Sequence, residues 1–286
     1  MFNVKELRFT YPNNKEETIK GISFDIAKGE IFGFLGPSGA GKSTTQKILI
    51  KLLDQYQGII SYNGSNISEL DDSFFESIGV SFEMPIHFSK MTAMENINFF
   101  LKLYKKNADV KELMTAVGLW EDRDKMVSEY SKGMKIRLNF VRAMLNDPEM
   151  LFLDEPTNGL DPTNAMILKD LIRAFKKRGG TVFITSHIMN DIDQLCDRVA
   201  FIVDGQIIEM DSPRNLKIKY GKRIMKVEYK ENGSLVTKEF PMDHIGQNEE
   251  FIDILKTKAI ETLHSGETTL EEIFIKVTGV GLTNHE

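Results

Sequence analysis

The stretch that decides the fold of this chain lies at residues 36–44 and reads Gly36-Pro37-Ser38-Gly39-Ala40-Gly41-Lys42-Ser43-Thr44. This is the pattern G-x-x-x-x-G-K-[ST], in which glycines let the backbone curl until successive N–H groups point inward at phosphate oxygens. An apolar run from Ile31 to Leu35 precedes it, and helix-favouring residues follow from Lys42 to about Leu53. A buried strand, a glycine-rich loop and a helix in this order predict a nucleotide-binding α/β fold.

The residue types within this loop indicate separate tasks. Lys42 is expected to neutralise the β- and γ-phosphates, and the hydroxyl of Ser43 is expected to bind Mg²⁺. The helix that begins at the end of the loop adds its positive N-terminal end. The whole loop, from Gly36 to Thr44, is therefore the predicted phosphate site, with ATP or GTP as the nucleotide and Mg²⁺ as its metal.

A second polar group follows another apolar run. Residues 150–153 are apolar, and the next two are Asp154 and Glu155. A strand buried in an open α/β sheet places carboxylates at its C-terminal end in the crevice where ligands bind. Asp154 is expected to hold the hydrated Mg²⁺, and Glu155 to polarise an attacking water as general base. Such a run alone usually marks only a strand end, but with the loop it predicts the catalytic half of a nucleotide site.

The order of the predicted elements gives the fold class. A third buried run, Thr181 to Thr185, leads into Ser186-His187, and the region from about Thr92 to Asn146 is almost entirely helix-like. Strands that alternate with helices predict a mostly parallel sheet with helices packed on it. His187 at the end of such a strand is a candidate to reach the γ-phosphate.

The last part of the chain has a different character. Strand-like runs lie on both sides of Asn232-Gly233, which is a strong hairpin signal. A helix is predicted from near Glu249. Another is predicted from near Thr268, because Thr268 and Glu271 have the spacing of a capping box. We therefore expect a small α+β accessory domain over residues 216–286.

Composition indicates the cellular compartment in which the chain is expected. Of the 286 residues 41% are hydrophobic and 27% charged, and the longest apolar runs reach only strand length. Because a membrane-spanning helix needs about 20 apolar residues, we expect none. The opening residues lack the apolar segment of a secretion signal, and the single Cys196 excludes an internal disulfide, which together predict the cytoplasm. The formal charge of −6 argues against a nucleic-acid partner.

A family resemblance rests on a motif between the two halves of the predicted site. Residues 130–137 read Tyr-Ser-Lys-Gly-Met-Lys-Ile-Arg, which resembles the ABC signature L-S-G-G-Q followed by K-Q-R. Ser131 and Gly133 match this motif, and Lys132 replaces its first glycine. In motif order and spacing, residues 1–215 resemble an ABC transporter nucleotide-binding subunit. The Y-S-K-G-M form resembles that of ABC-2 type drug and antibiotic exporters.

The resemblance implies roles for single residues. Tyr11 fits the aromatic residue that stacks on adenine, Asp161 fits the D-loop, and His187 fits the switch histidine. Glu83 stands where the family usually carries a glutamine that contacts the metal. A carboxylate there could tighten the metal site, or it could repel Glu155 and raise the pKa of one of the two groups. The sequence leaves this choice open.

The resemblance also implies the architecture. It predicts a P-loop ATPase core with an N-terminal antiparallel β-subdomain and a helical subdomain at about residues 84–150. Two such subunits, either two copies or this chain with a homologous ATPase subunit, would bind ATP head to tail. Ser131 and Gly133 of one subunit would then contact the γ-phosphate held by Lys42 of the other. Residues 84–88 and the following helix would face a separate membrane permease, so the chain is expected at the inner face of the cell membrane.

Two alternatives differ in function. The first is a soluble ABC-type ATPase that acts on ribosomes, DNA or metal clusters; a single nucleotide domain without long heptad repeats argues against it. The second is a binding module without hydrolysis, against which Glu155 and His187 argue. Export is favoured over import by the signature and by residues 270–274, which resemble the C-terminal end of many ABC-2 ATPases. The transported molecule and the role of the accessory domain stay open.

Overall fold

Alternating apolar residues near the start of the chain form an antiparallel sheet. The computed structural model describes residues 1–12, 14–231 and 233–281. The strands of this sheet are β1 (Phe2–Phe9), β2 (Ile19–Ile26), β4 (Gln57–Tyr62) and β5 (Ser65–Asn66). They pair in the order β2-β1-β4-β5, and each neighbouring pair is antiparallel.

Continuous apolar runs form a second, mostly parallel sheet. Its strands are β3 (Ile31–Leu35), β6 (Ile78–Ser81), β7 (Met150–Asp154), β8 (Thr181–Ser186), β9 (Arg198–Val203) and β10 (Gln206–Asp211). The order is β10-β9-β3-β8-β7-β6, with β10 antiparallel to β9 and the other neighbours parallel. Strands β3, β7 and β8 are buried along their whole length, as expected for a parallel sheet covered on both faces. Their carboxyl ends therefore lie side by side.

Helices connect the strands of the two sheets. They are α1 (Lys42–Leu49), α2 (Ser73–Ser77), α3 (Ala93–Leu101), α4 (Val110–Ala116), α5 (Lys132–Ala143), α6 (Pro162–Lys177) and α7 (Met189–Leu195). Short 3₁₀ turns occur at Ile67–Glu69, Trp120–Asp122 and Val127–Glu129. Helices α3 to α5 lie between β6 and β7 and form a helical subdomain. Nowhere in the described parts of the chain is a helix long and apolar enough to cross a membrane.

Helix α1 ends earlier than the sequence predicts. We expected helix up to about Leu53, but α1 stops at Leu49. Lys51 adopts a left-handed conformation with φ 59°, and the N–H of Leu52 turns back to the carbonyl of Lys47 at 2.8 Å. A left-handed residue of this kind satisfies the last free carbonyls and terminates a helix.

One apolar core joins the two sheets. Phe2 and Phe24 of the antiparallel sheet pack on Phe152 and Phe32 of the parallel sheet, with ring centroids 5.8 and 5.6 Å apart respectively. These four rings are buried. Because well-packed cores tolerate little displacement, this contact fixes the antiparallel sheet relative to the strand that leads into the glycine-rich loop.

The described part of the chain divides into two compact units, and the second is Pro213–Val280. Its elements are α8 (Pro213–Tyr220), β11 (Arg223–Glu231), β12 (Ser234–Pro241), a 3₁₀ turn (Ile245–Gln247), α9 (Glu249–Thr257), β13 (Ala259–Glu267) and α10 (Leu270–Thr278). The three-stranded antiparallel sheet of this second unit has the order β12-β11-β13. It packs on α9 through Val227, Tyr229 and Phe251. Glu231 pairs with Ser234 at the hairpin; Asn232 of the predicted turn lies outside the described residues.

The capping box of the last helix is one residue later than predicted. The N-cap of α10 is Thr269, whose hydroxyl accepts the backbone N–H of Glu272 at 3.2 Å. The Glu272 carboxylate in turn accepts the backbone N–H of Thr269. The prediction of Thr268 with Glu271 was therefore wrong. The hydroxyl of Thr268 instead accepts the backbone N–H of Lys222 at 2.7 Å, so it ties the end of β13 to the start of β11.

Candidate nucleotide site

The carboxyl ends of β3, β7 and β8 border a cleft of about 660 Å³. This volume lies in the range of about 300–1,000 Å³ typical of small-molecule sites. Predicted site residues that line the cleft are Tyr11, Ser38, Gly39, Gly41, Lys42, Ser43, Thr44, Glu83, Glu155 and His187. Thr18, Lys20 and Asp204, which the sequence did not suggest, also line it. The structure thus brings residues from the whole length of the first unit to one place.

Glycine is required at particular points of the loop. A Cβ on Gly36 would lie 2.0 Å from the carbonyl oxygen of Ile202, a backbone atom that cannot move away. Gly39 and Gly41 adopt φ values of +80° and +104°, which glycine reaches without steric cost. The loop can therefore pass close to β9 and curl into α1.

The ammonium group of Lys42 lies inside the curl of the loop. Its Nζ donates to the carbonyl of Gly36 at 2.7 Å and to that of Pro37 at 3.0 Å. Burial lowers the pKa of Lys42, because an enclosed ammonium loses hydration. Three negative charges oppose this effect: those of Glu155, Asp154 and Glu83. A cation held among backbone carbonyls and carboxylates is suited to exchange these partners for phosphate oxygens.

Asp154 and Ser43 meet at the base of the site. The hydroxyl of Ser43 donates to Oδ1 of Asp154 at 3.2 Å, and the hydroxyl of Thr185 donates to the same oxygen. A serine hydroxyl beside a buried carboxylate is a set of hard oxygen donors, which suits Mg²⁺ when phosphate oxygens complete its shell. Sequence reasoning missed Thr185, although its place at the polar end of β8 was a usable signal.

Glu155 and His187 are in direct contact. Oε1 of Glu155 lies 2.9 Å from Nδ1 of His187, and Oε2 accepts the backbone N–H of His187 at 3.2 Å. The Glu155 side chain is 7% exposed and that of His187 is 41% exposed. Glu155 has a φ of 49°, a left-handed conformation that costs free energy in a non-glycine residue. The carboxylate is therefore held in a fixed position beside an imidazole that faces solvent.

Tyr11 and Glu83 lie on the wall of the cleft. The hydroxyl of Tyr11 is 3.2 Å from that of Thr44, and its ring packs edge-on against Phe9 at a centroid distance of 4.9 Å. Oε1 of Glu83 accepts from the side-chain amide of Asn158 at 3.4 Å. Both side chains retain exposure to the cleft, where a ligand can reach them.

The signature residues form a separate patch. Ser131 is the N-cap of α5 and accepts the N–H of Met134 at 3.2 Å. A Cβ on Gly133 would lie 3.4 Å from Leu160, and Asp161 caps the neighbouring helix α6. The described lining of the cleft includes none of Ser131, Gly133 and Asp161. The N-terminus of α5 is thus presented elsewhere on the unit than the cleft.

Residues 84–88 carry exposed apolar side chains on an anchored backbone. Met84 is 79% and Ile86 80% exposed. Arg142 of α5 donates to the carbonyl of Ile86 at 2.5 Å, and Nε2 of His87 lies 3.0 Å from the carbonyl of Lys135. Hydrogen bonds with α5 thus anchor this segment, and exposed apolar side chains grouped in this way often mark a protein contact surface.

His87 should make stability depend on pH. Burial lowers its pKa from 6.5 to about 4, so the unfolded chain binds the proton at a higher pH than the folded chain. Stability therefore rises with pH across this window and is lost as the pH falls below the unfolded value. Between pH 7 and pH 5 we expect a loss of about 2 kcal/mol in the free energy of unfolding. His87→Gln retains a donor for the Lys135 carbonyl and should remove this dependence.

Urea unfolding at a series of pH values measures this effect. The fluorescence of Trp120, the single tryptophan, reports on the unit that contains His87. The exposed His244 provides a control, since His244→Asn should leave the pH dependence as it is. An unchanged slope between pH 5 and pH 7 in His87→Gln would contradict the assignment.

Together these features define a class of protein. A phosphate loop after β3, a carboxylate pair at the end of β7 and a histidine after β8 belong to an α/β core that carries an antiparallel β-subdomain and a helical subdomain. This is the architecture of an ATP-binding cassette. The dimeric bacterial ABC transporter cassette MJ0796 shares the fold with a TM-score of 0.67 and 24% identity, over 74% of this chain and 98% of that one.

Sequence comparisons identify the family. The profile of the ABC transporter family matches residues 19–158, and that of the fluoroquinolone efflux ABC transporter C-terminal domain matches residues 223–267. The Fluoroquinolones export ATP-binding protein of Mycobacterium tuberculosis (strain CDC 1551 / Oshkosh) is 48% identical over 285 residues, 99% of this chain and 95% of the relative. The Bacitracin transport ATP-binding protein BcrA of Bacillus licheniformis is 33% identical over 300 residues, 97% and 98% of the respective chains. The chain belongs to the ATP-binding proteins of ABC transporters.

Membership of this family confirms the predicted fold class and the predicted resemblance to the drug and antibiotic exporter group. The chain is an ATPase of the transporter type. A soluble ABC-type ATPase with a ribosome or DNA target, the first alternative, is not favoured by relatives that are export and transport proteins.

Proposed function

We propose that the chain hydrolyses ATP to drive the export of an amphiphilic drug-type molecule through separate membrane subunits. The observation that carries the proposal is the contact between Glu155 and His187, with an Oε1 to Nδ1 distance of 2.9 Å, at the cleft that also contains Lys42. A fixed carboxylate, an imidazole and a phosphate loop at one cleft are the groups that in-line hydrolysis of a terminal phosphate needs.

The proposed chemistry divides among four side chains. Lys42 and the loop N–H groups, from Gly36 to Thr44, hold the phosphates. Glu155 accepts the proton of the attacking water, and His187 contacts the γ-phosphate and keeps the Glu155 carboxylate oriented. The ring of Tyr11, at the wall of the cleft, stacks on adenine.

Mg²⁺ is the proposed metal, with Ser43, Asp154 and Glu83 as its protein ligands or as acceptors for its water molecules. The ion would neutralise negative charge on the β- and γ-phosphates. The hydrogen bond between Ser43 and Asp154, at 3.2 Å, supports two of these ligands. Glu83 is assigned to the metal because it lines the same cleft, and its negative charge acts on Lys42 together with those of the other two carboxylates.

The working unit is proposed to be a head-to-tail dimer with a second copy or with a homologous ATPase subunit. Ser131, Gly133 and Asp161 are not among the described residues that line the cleft, which supports a contact with nucleotide held by another subunit. A serine hydroxyl and a helix N-terminus are complementary to a terminal phosphate. ATP then joins two subunits, and hydrolysis releases them.

Residues 84–88 are the proposed contact with the permease. Met84 and Ile86 project apolar side chains from a backbone that α5 anchors. Docking there places the chain in the cytoplasm, at the inner face of the cell membrane. The ATP-binding domain is assigned to residues 1–215 and the accessory domain to residues 216–286.

The cargo class is proposed from the accessory region. Residues 223–267 match a fluoroquinolone efflux C-terminal domain, and the relative that is 48% identical is a fluoroquinolone export protein. A planar amphiphilic compound of the fluoroquinolone class is therefore the proposed cargo.

Drug accumulation tests this proposal. Cells that produce the chain with its membrane subunits should hold less of a fluorescent fluoroquinolone at steady state than cells with the Glu155→Gln variant, because only the parent can sustain turnover. Equal accumulation in both strains, with ATP turnover of the purified parent intact, would reject the cargo class and leave the ATPase assignment in place.

A further inference from the structure

A buried polar network joins three segments of the ATP-binding unit. The hydroxyl of Thr157 donates to Oδ2 of Asp191 at 2.6 Å, and Nζ of Lys169 donates to Oδ1 of Asp191 at 2.9 Å. Thr157 is 4% exposed, and Lys169 and Asp191 are each 6% exposed. The network therefore connects the turn after β7, the middle of α6 and the first turn of α7 with little access to water.

Two residues of this network belong to the chain segments that carry the two proposed catalytic groups, Glu155 and His187. Thr157 lies in the turn that starts at Glu155, where the N–H of Asn158 donates to the Glu155 carbonyl at 3.1 Å. Asp191 lies in the first turn of α7, the helix that follows His187. The hydrogen bond between Thr157 and Asp191 thus ties the segment of Glu155 to the segment of His187.

Stability alone does not account for an ion pair in this place. Removing two charges from water costs free energy, and apolar residues of similar volume often serve a fold equally well or better. Lys169 also donates to the side chain of Gln194 at 3.0 Å, so it binds two positions of α7. A lysine with two acceptors on one helix restricts how that helix can move relative to α6.

We infer that Thr157, Asp191 and Lys169 are positioning residues for ATP hydrolysis. They hold the turn of Glu155 against α7, and so they set the position of the Glu155 carboxylate relative to His187. The inference rests on the roles proposed above for these two residues. Without the Thr157–Asp191 bond, the left-handed turn at Glu155 loses a restraint and the base is misplaced. A displacement of about 1 Å at a reacting group costs up to about 10²-fold in rate.

Thr157→Val and Thr157→Ser provide the first test. Valine keeps the shape of threonine without the hydroxyl, whereas serine keeps the hydroxyl. With saturating Mg²⁺, we expect Thr157→Val to lower kcat about 10-fold at an ATP KM close to that of the parent, because the phosphate loop is untouched. Thr157→Ser should restore kcat to near the parent value. A parent-like kcat in Thr157→Val, or a serine variant as slow as the valine variant, would overturn the inference.

A second variant separates positioning from folding. Replacing the ion pair jointly, Lys169→Met with Asp191→Leu, removes both buried charges and leaves neither unpaired, so the fold should persist. We expect this double variant to remain folded at the assay temperature, although the Thr157 hydroxyl loses its acceptor, and to have a lowered kcat. A stable double variant with the parent kcat would contradict positioning. The exposed Asp170, which pairs with Arg173 on the same helix, gives a control, since Asp170→Asn should leave kcat unchanged.

Failure of the underlying function is distinguishable. If Glu155→Gln hydrolyses ATP at the parent rate, the proposed role of Glu155 is wrong and this inference is wrong with it. If Glu155→Gln is inactive while Thr157→Val and the double variant both keep the parent kcat, only the inference about the network is wrong.

Discussion

Replacing Glu155 by glutamine is expected to lower ATP turnover by about 10²- to 10⁴-fold, the usual contribution of a general base. The amide retains the shape of the carboxylate and can still bond to His187, which lies 2.9 Å from Oε1 in the parent. It cannot accept a proton from water at neutral pH. Because the phosphate loop is unchanged, ATP should remain bound, and subunits that ATP joins should stay together.

Turnover assays and light scattering measure the two parts of this prediction. We expect Glu155→Gln to be a dimer with ATP and Mg²⁺ and to dissociate when nucleotide is removed. Glu149 is an exposed glutamate immediately before β7, so Glu149→Gln is the matched control and should keep the parent rate. A Glu155→Gln protein that stays monomeric with ATP would contradict the dimer, and one with parent turnover would contradict the base.

Replacing Lys42 by methionine is expected to weaken ATP binding by about 10- to 100-fold. A hydrogen bond to a charged group contributes about 1.5–3 kcal/mol, which corresponds to this change in Kd. The ammonium is enclosed by the carbonyls of Gly36 and Pro37, so it is already placed where phosphate arrives. Methionine keeps the length of the side chain and removes the charge.

Calorimetric titration of ATP measures this loss of affinity. Lys47 lies on the same helix, in its last turn, and Lys47→Met should bind ATP with the parent Kd. Thermal unfolding without nucleotide separates a lost phosphate contact from a damaged loop, since Lys42 also bonds the loop itself. A parent-like Kd in Lys42→Met would refute the assignment of the loop as the phosphate site.

Motifs were predictable where local sequence dictates local structure. The pattern from Gly36 to Thr44 requires a curled loop between a strand and a helix, and it forms one. Runs of apolar residues before Asp154 and before Ser186 predicted buried strands, and both are present. Local sequence patterns did not correctly place the end of α1 or the start of α10. The capping box near Thr268 lies one residue later because Lys222 uses the Thr268 hydroxyl, a partner distant in sequence.

Sequence alone determined the class of this protein: a phosphate loop, an acid pair and a signature that occur in a fixed order along the chain. Only the tertiary structure decided which of these groups meet. It places Glu155 against His187 and keeps Ser131 outside the described lining of the cleft. It also buries Lys169, which in an amphipathic helix has the appearance of a surface residue. Burial and contact depend on how strands and helices pack across long sequence separations, and no local pattern encodes a partner at that range.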